Sequence, residues 1–436
     1  MVKEKVGRVR WGISILLSLG IVVNYFDRIN ISIATKPLMR EFGLSLGQMG
    51  IILSAFIWAY TIAQIPAGAI LDRVGVKWLN RACTLAWTGF TALTAIFTGM
   101  SLFILCRFML GLAEAPSFPA ASKATGYWFP IKERGVATSV WDMSAKLSRV
   151  IGIPLIAWAM TVWGWRGGFW LTMVLSLIYA IAWWAFYCDP QEHKKLSKEE
   201  YTYIVEGGAQ KPGQASGGIA RNLRFLLRQR KVWGATLGFG LNGYAYWLLL
   251  TWMPGFLQTQ LNMSLLSTGM YAAIPWIVAT LSNLYIGGWA VDKFIHKGYD
   301  PSKVRKSFIV ANMLLGLTIC FAAVTNNPKI AVFWMATSIC GLSAVTAISW
   351  SLPSIIAPRG TAGTVGGIMN FANGLAGSVS TIVTGYIAQK TGSFFGAFAL
   401  AACVVFCGIF FFTVVLDRIE EIKTEMPSAE TVTVHR

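Results

Sequence analysis

The sequence predicts an all-α membrane protein of twelve transmembrane helices, folded as two pseudo-symmetric six-helix bundles. Three observations predict it. Of 436 residues, 55% are hydrophobic and 13% charged, where a soluble domain carries about 25% charged residues. A water-soluble chain of this size cannot hide so much apolar surface, so the excess faces lipid. The apolar residues fall in runs close to the roughly 20 residues that cross a bilayer. Finally, the pattern G-x-x-x-D-[RK] occurs twice, as Gly68-Ala69-Ile70-Leu71-Asp72-Arg73 and as Gly288-Trp289-Ala290-Val291-Asp292-Lys293. Each follows the second apolar run of its half, which implies a duplicated six-helix unit. Together these features exclude a soluble enzyme, a nucleic-acid-binding domain and a disordered chain.

Breaking the chain at charge clusters, Pro and Gly places the first six spans near 12–34, 49–71, 79–99, 102–124, 136–160 and 169–187. The other six fall near 232–254, 268–291, 306–325, 329–350, 363–386 and 393–416. The first follows a basic segment, is long and has no A-x-A cleavage site, so it is expected to be a retained helix rather than a signal peptide. The stretch 188–231 breaks the pattern. It holds Gln191-Glu192-His193-Lys194-Lys195, then Lys211-Pro212-Gly213-Gln214-Ala215-Ser216-Gly217-Gly218, and ends in a basic amphipathic run from Arg221 to Lys231. A cytoplasmic linker is expected here, flexible in its Gly/Pro/Ser part, with the basic run on the inner membrane surface. The chain so divides into a bundle over 1–187, the linker over 188–231, a bundle over 232–416 and a cytoplasmic tail over 417–436.

The net charge is +18. With the N-terminus inside, inner segments hold 28 Lys and Arg, and outer loops hold five: Lys36, Arg40, Arg166, Lys329 and Lys390. That asymmetry puts both termini in the cytoplasm. The positive charge is therefore a topology signal with some attraction to anionic lipid, not a nucleic-acid footprint. The seven cysteines lie in or beside apolar runs without CxxC or Cys/His spacing, as small buried hydrophobes do. No metal and no cofactor are expected.

Several motifs resemble a known family. Gly68 to Arg73, continuing through Gly75 and Lys77, is similar to the loop signature between spans two and three of the major facilitator superfamily. Arg107-Phe108-Met109-Leu110-Gly111 is similar to its span-four motif. A narrower resemblance is to the anion:cation symporter family, which includes galactonate, glucarate and hexuronate transporters. It rests on Asn24-Tyr25-Phe26-Asp27-Arg28, Trp58-Ala59-Tyr60 with Gln64-Ile65-Pro66, and Gly111-Leu112-Ala113-Glu114-Ala115-Pro116. Gly164-Trp165-Arg166 and Gly366-Gly367-Ile368-Met369-Asn370-Phe371 add to it. The resemblance implies the major facilitator fold, a bacterial inner (plasma) membrane, and a substrate site that includes Tyr25, Arg28 and Tyr60. In the resembling galactonate transporters the Arg that matches Arg28 helps bind the sugar acid.

Seven ionisable residues fall within spans: Asp27, Arg28, Arg107, Glu114, Asp142, Lys146 and Arg149. Each costs roughly 2.5–3.5 kcal/mol in a bilayer, so they should face the bundle interior and pair. Arg28 is the leading contact for a substrate carboxylate, because a guanidinium stays charged and offers a planar fork; a salt bridge with Asp27 or another acid is the structural alternative. Asp27 and Glu114 are the candidates for carrying a coupling proton, with an Arg107 ion pair as the alternative for Glu114. Asp142 and Lys146 are i,i+4 on one face, and Arg149 extends their stripe. Either Asp142 and Lys146 satisfy each other, or Lys146 supplies a second cationic contact. The latter would favour a second carboxylate, a keto acid or a phosphonate-like head. The three histidines lie in loops or the tail, which leaves no intramembrane His relay.

The second half carries no charge at membrane depth. Asn242, Tyr244, Tyr246, Asn283, Ser349, Ser351, Asn370 and Asn373 are its candidates for hydrogen-bonding substrate hydroxyls. Trp247, Trp252, Trp276 and Trp350 could flank a sugar ring or sit at the lipid interface. Asp72, Arg73 and Lys77 are expected to form a cytoplasmic latch between the halves. The expected activity is proton-coupled import of a small organic anion by alternating access, with a sugar acid (an aldonate, glucarate or hexuronate) as cargo and Na+ as the alternative coupling ion. An aromatic or dicarboxylic acid or 2-ketogluconate is the alternative cargo, and antiport or export the alternative direction. The expected partners are that anion, protons and membrane lipid, with no nucleic acid, and the chain is expected to act as a monomer rather than as an enzyme.

Overall fold

The computed structural model describes residues 7–96, 99–209, 219–358 and 361–422. The Lys211 to Gly218 stretch and His435 lie outside them. Among the described residues, twelve spanning helices occur where the apolar runs place them. In the first half these are α1 (Val9–Ile33), α2 (Leu46–Val74), α3 (Val76–Ile96) and α4 (Met100–Trp128). The continuous stretch Ile131–Phe186 turns at Gly164, whose φ of 71° suits glycine, and supplies α5 (131–163) and α6 (165–186). The second half holds α7 (Arg230–Thr259), α8 (Leu265–His296), α9 (Pro301–Ala322), α10 (Pro328–Ile356), α11 (Ala362–Thr391) and α12 (Phe395–Val415).

Local chemistry sets the helix starts. Ser45 and Gln48 form a reciprocal capping box before α2. Ser264 caps α8, and Asp300 and Asn327 cap α9 and α10, each followed by Pro at the first helical position. Three helices, α3, α7 and α11, are not apolar enough to be recognised as spans by composition alone. Thr, Gly and Asn dilute them, and they are held by packing against their neighbours.

Both described chain ends lie on one face of the molecule, termed here the terminal face; the opposite face is the distal face. The apolar core divides unequally between them. One cluster fills the second half and continues across into the distal part of the first, through Ile29, Ile33, Leu53, Ile156 and Phe169. A second is confined to the terminal part of the first half, around Leu17, Phe56, Trp87, Trp128 and Trp183. The halves are therefore fused distally. There Gln258 donates to the Ile33 carbonyl at 2.9 Å, Lys36 donates to the Gln258 carbonyl at 3.0 Å, and the Gly47 amide donates to Gln389 at 3.0 Å. Helices α2 and α11 approach so closely that a Cβ on Gly50 would sit 2.9 Å from the Thr381 carbonyl, and one on Gly385 2.5 Å from that of Leu46.

On the terminal face the first part of the linker is strapped to the first half. The helix Lys198–Glu206 presents Glu200, which is fully buried and accepts from the amides of Val9 and Arg10 and from the Arg10 guanidinium at 2.9 Å. Arg10 also pairs with Glu133 at 2.8 Å, and Glu133 accepts from the Tyr203 hydroxyl at 2.6 Å. The Glu200→Ala protein should lose roughly 2–3 kcal/mol of stability through the orphaned donors. Faster proteolysis within 188–209 is the measurement that checks it.

Candidate functional site

The charged groups of the first half converge at mid-depth because helical periodicity puts Asn24 and Arg28 on one face of α1. Arg28 donates through Nη2 to Asn24 Oδ1 at 2.8 Å and through Nε to Glu114 Oε2 at 3.2 Å. Its guanidinium carbon lies 4.5 Å from the Tyr60 ring centroid, 4.7 Å from Tyr25 and 5.0 Å from Phe56. Those rings hold the cation in a low-dielectric cage. Glu114 is fully buried, and its second oxygen, Oε1, has no partner. Arg28, Tyr25, Tyr60 and Glu114 are thus brought together. The salt bridge expected as the structural alternative for Arg28 is present, with Glu114 rather than Asp27.

Asp27 goes elsewhere. It is one residue from Arg28 and so points about 100° away round the helix. Its carboxylate accepts from Thr91 on α3 at 2.7 Å and from Ser176 on α6 at 3.4 Å, inside the first bundle. Arg107 donates to the Asp27 backbone carbonyl at 3.2 Å and lies over Phe56 at 5.0 Å. It makes no ion pair with Glu114 among the described contacts.

On α5, Lys146 bonds Asp142 at 2.6 Å, with half of the Asp142 side chain exposed. That is the self-satisfied pair, and it leaves Lys146 apart from Arg28. The residue that does reach the cluster is Arg149, one turn further on. It is buried, donates to the Tyr246 hydroxyl at 2.8 Å, and lies 4.7 Å from Tyr25 and 4.3 Å from Trp276. Sequence reasoning named Arg149 only as the end of a stripe. Spacing gives no signal that separates them, because at i+3 from Lys146 and i+7 from Asp142 Arg149 lies on the same stripe; its contacts with Tyr246 and Trp276 come from α7 and α8.

The second half contributes less than expected. Asn370 donates to Gln64 at 2.8 Å across the two halves, one turn from Tyr60. Asn373 accepts from Trp247 at 2.8 Å and donates to the Phe239 carbonyl at 3.2 Å, so it is taken up by α7–α11 packing. Asn242 and Asn283 likewise bond within the second bundle. Ser349 is fully buried and its hydroxyl has no partner. Trp252 donates to the Thr381 carbonyl, while Trp350 is half exposed.

The expected latch also differs. Lys77 bonds Glu192 of the linker at 2.6 Å, which ties α3 to the linker rather than to the other half. Arg73 is exposed, and the Asp72 side chain lies outside the described residues. Among the described residues no group of three His, Cys, Asp or Glu could hold a metal ion.

Comparison with known proteins agrees with this architecture. The family model described as Major Facilitator Superfamily matches residues 17–381. The chain is 33% identical to a probable galactarate/D-glucarate transporter of Escherichia coli (strain K12), over 97% of this chain and 98% of that one. It is 32% identical to a D-galactonate transporter of Escherichia coli O6:H1, over 89% and 91%. Among solved structures, a bacterial homologue of the human lysosomal transporter Spinster, in an inward-facing and unoccupied conformation, superposes with a TM-score of 0.71 at 17% identity, covering 94% of this chain and 95% of that one. Twelve helices in two bundles among the described residues, a buried charged cluster in the first that meets the second at Arg149, a family model over most of the chain and relatives named as transporters identify a multi-pass membrane transporter, not an enzyme, and the chain belongs to the major facilitator superfamily.

Proposed function

We propose that this transporter imports a sugar acid together with a proton. The observation that carries the reading is the buried Arg28–Glu114 pair, caged by Tyr25 and Tyr60, with one Glu114 oxygen left unpartnered. A substrate carboxylate can take Arg28 by two parallel bonds, where Glu114 now holds it by the single Nε–Oε2 bond and leaves Oε1 free. The two anions therefore compete for one cation. A carboxylate stripped of its cation in an apolar chamber is neutralised by taking up a proton, so anion arrival and proton uptake are linked at one residue. Asn370 and Gln64, bonded across the halves one turn from Tyr60, would serve hydroxyls of the same cargo. The names of the relatives, galactarate/D-glucarate and D-galactonate transporters, support the substrate class. The Lys/Arg asymmetry supports cytoplasmic termini, which makes the fused distal face the outer one and the described conformation closed to the outside.

Uptake of labelled galactarate and galactonate into proteoliposomes, with and without an inward proton gradient, tests the reading. Uptake of at least one acid, accelerated by the gradient, is expected. Uptake indifferent to protons but dependent on Na+ would replace the coupling ion, and transport of neither acid would overturn the cargo.

A further inference from the structure

We propose that Arg149 is a second anion contact and that the site takes a small dianion, one acidic end on Arg28 and the other on Arg149. The inference rests on the sugar-acid reading above and narrows it to diacids. Arg149 is 3% exposed. Its Nη1 donates to the Tyr246 hydroxyl, its Nε has no partner, and no carboxylate lies within ion-pair distance of it among the described residues. The nearby acids are engaged elsewhere: Glu114 with Arg28, Asp27 with Thr91 and Ser176, Asp142 with Lys146. Faces of Tyr25, Trp276 and Tyr246 surround the guanidinium. They soften its desolvation but do not replace a counter-ion.

Position and charge point the same way. The guanidinium carbons of Arg28 and Arg149 each lie 4.7 Å from the Tyr25 centroid, so they are no further apart than twice that distance, a gap that a short-chain diacid crosses. Arg149 comes from the first half, Tyr246 and Trp276 from the second, so an anion held there touches both. Apart from the paired Asp142 and Lys146, the buried charges of the first-half spans are three guanidiniums, of Arg28, Arg107 and Arg149, against the two carboxylates of Asp27 and Glu114. A dianion arriving with one proton on Glu114 brings that set to neutrality. A monoanion arriving with the proton leaves it one positive charge in excess, the costlier species to enclose in a bilayer.

The test uses the purified full-length protein and two sugar acids of the same carbon number, galactarate with two carboxylates and galactonate with one. Wild-type protein should bind galactarate at least about tenfold more tightly, the worth of one charge-assisted contact. Arg149→Gln should erase the preference by weakening galactarate to the level of galactonate, while galactonate itself shifts less than about threefold. Arg149→Lys, which keeps the charge, should retain part of the preference and so separates loss of the contact from misfolding. Equal weakening of both acids in Arg149→Gln, or no preference in the wild type, overturns the second contact alone. Failure of both acids to bind wild-type protein overturns the sugar-acid reading and this inference together.

Discussion

The Arg28→Ala protein is expected to fold and insert, yet to show no ligand-induced rise in melting temperature. Its partners tolerate the change. Asn24 loses one hydrogen bond, and Glu114, freed of its cation, is neutralised by a proton rather than left as a buried charge. The cargo, by contrast, loses a two-pronged charge-assisted contact in a site walled by Tyr25, Phe56 and Tyr60. Affinity should fall at least roughly a hundredfold, equivalent to about 3 kcal/mol. Arg28→Lys keeps the charge but not the planar fork and should fall between. A ligand-induced stabilisation unchanged in Arg28→Ala would remove Arg28 from the site.

The Glu114→Gln protein separates coupling from carriage. Gln still accepts from Arg28 Nε at the position of Oε2, so the cage stays intact. It cannot take a proton. Uptake driven by a proton gradient should therefore drop at least roughly tenfold, while exchange of labelled for unlabelled acid across the membrane, which needs no net proton movement, should be largely retained. Equal loss in both assays would make Glu114 structural. Asp27→Asn gives the contrast: Asp27 sits between Thr91 and Ser176, away from Arg28, and any loss there should fall on both assays alike.

Most of the architecture was legible because its causes are local. Apolar runs of the right length, Gly and Pro breaks and cap residues lie in the chain itself, and all twelve expected spans overlay helices. Even α3, α7 and α11, too polar to declare themselves by composition, were marked by the breaks on either side. The site was legible only where one helix face sets it. Asn24, Tyr25 and Arg28 are grouped by period alone, and Asp142 with Lys146 likewise. What needed the three-dimensional fold was the choice among partners. Whether Arg28 meets Asp27 or Glu114, and whether Lys146 or Arg149 reaches the chamber, depends on how α4 and α5 are rotated against α1. The partners of Asn373 and Lys77, Trp247 and Glu192, were hidden for the same reason. A polar side chain at the right depth serves packing or substrate according to its neighbours, and those come from other helices.

The distal seal has a consequence for how the protein responds to its surroundings. Backbone against backbone at Gly50 and Gly385, with amide contacts from Gln258 and Gln389, closes that face, and no ion pair joins the two halves among the described residues. Dissolved electrolyte weakens attraction between exposed charges, but the charged group in this joint, Lys36, meets a carbonyl rather than a carboxylate, so screening finds no ion pair there to weaken. How often that face opens should accordingly be indifferent to the ionic strength of the medium against it.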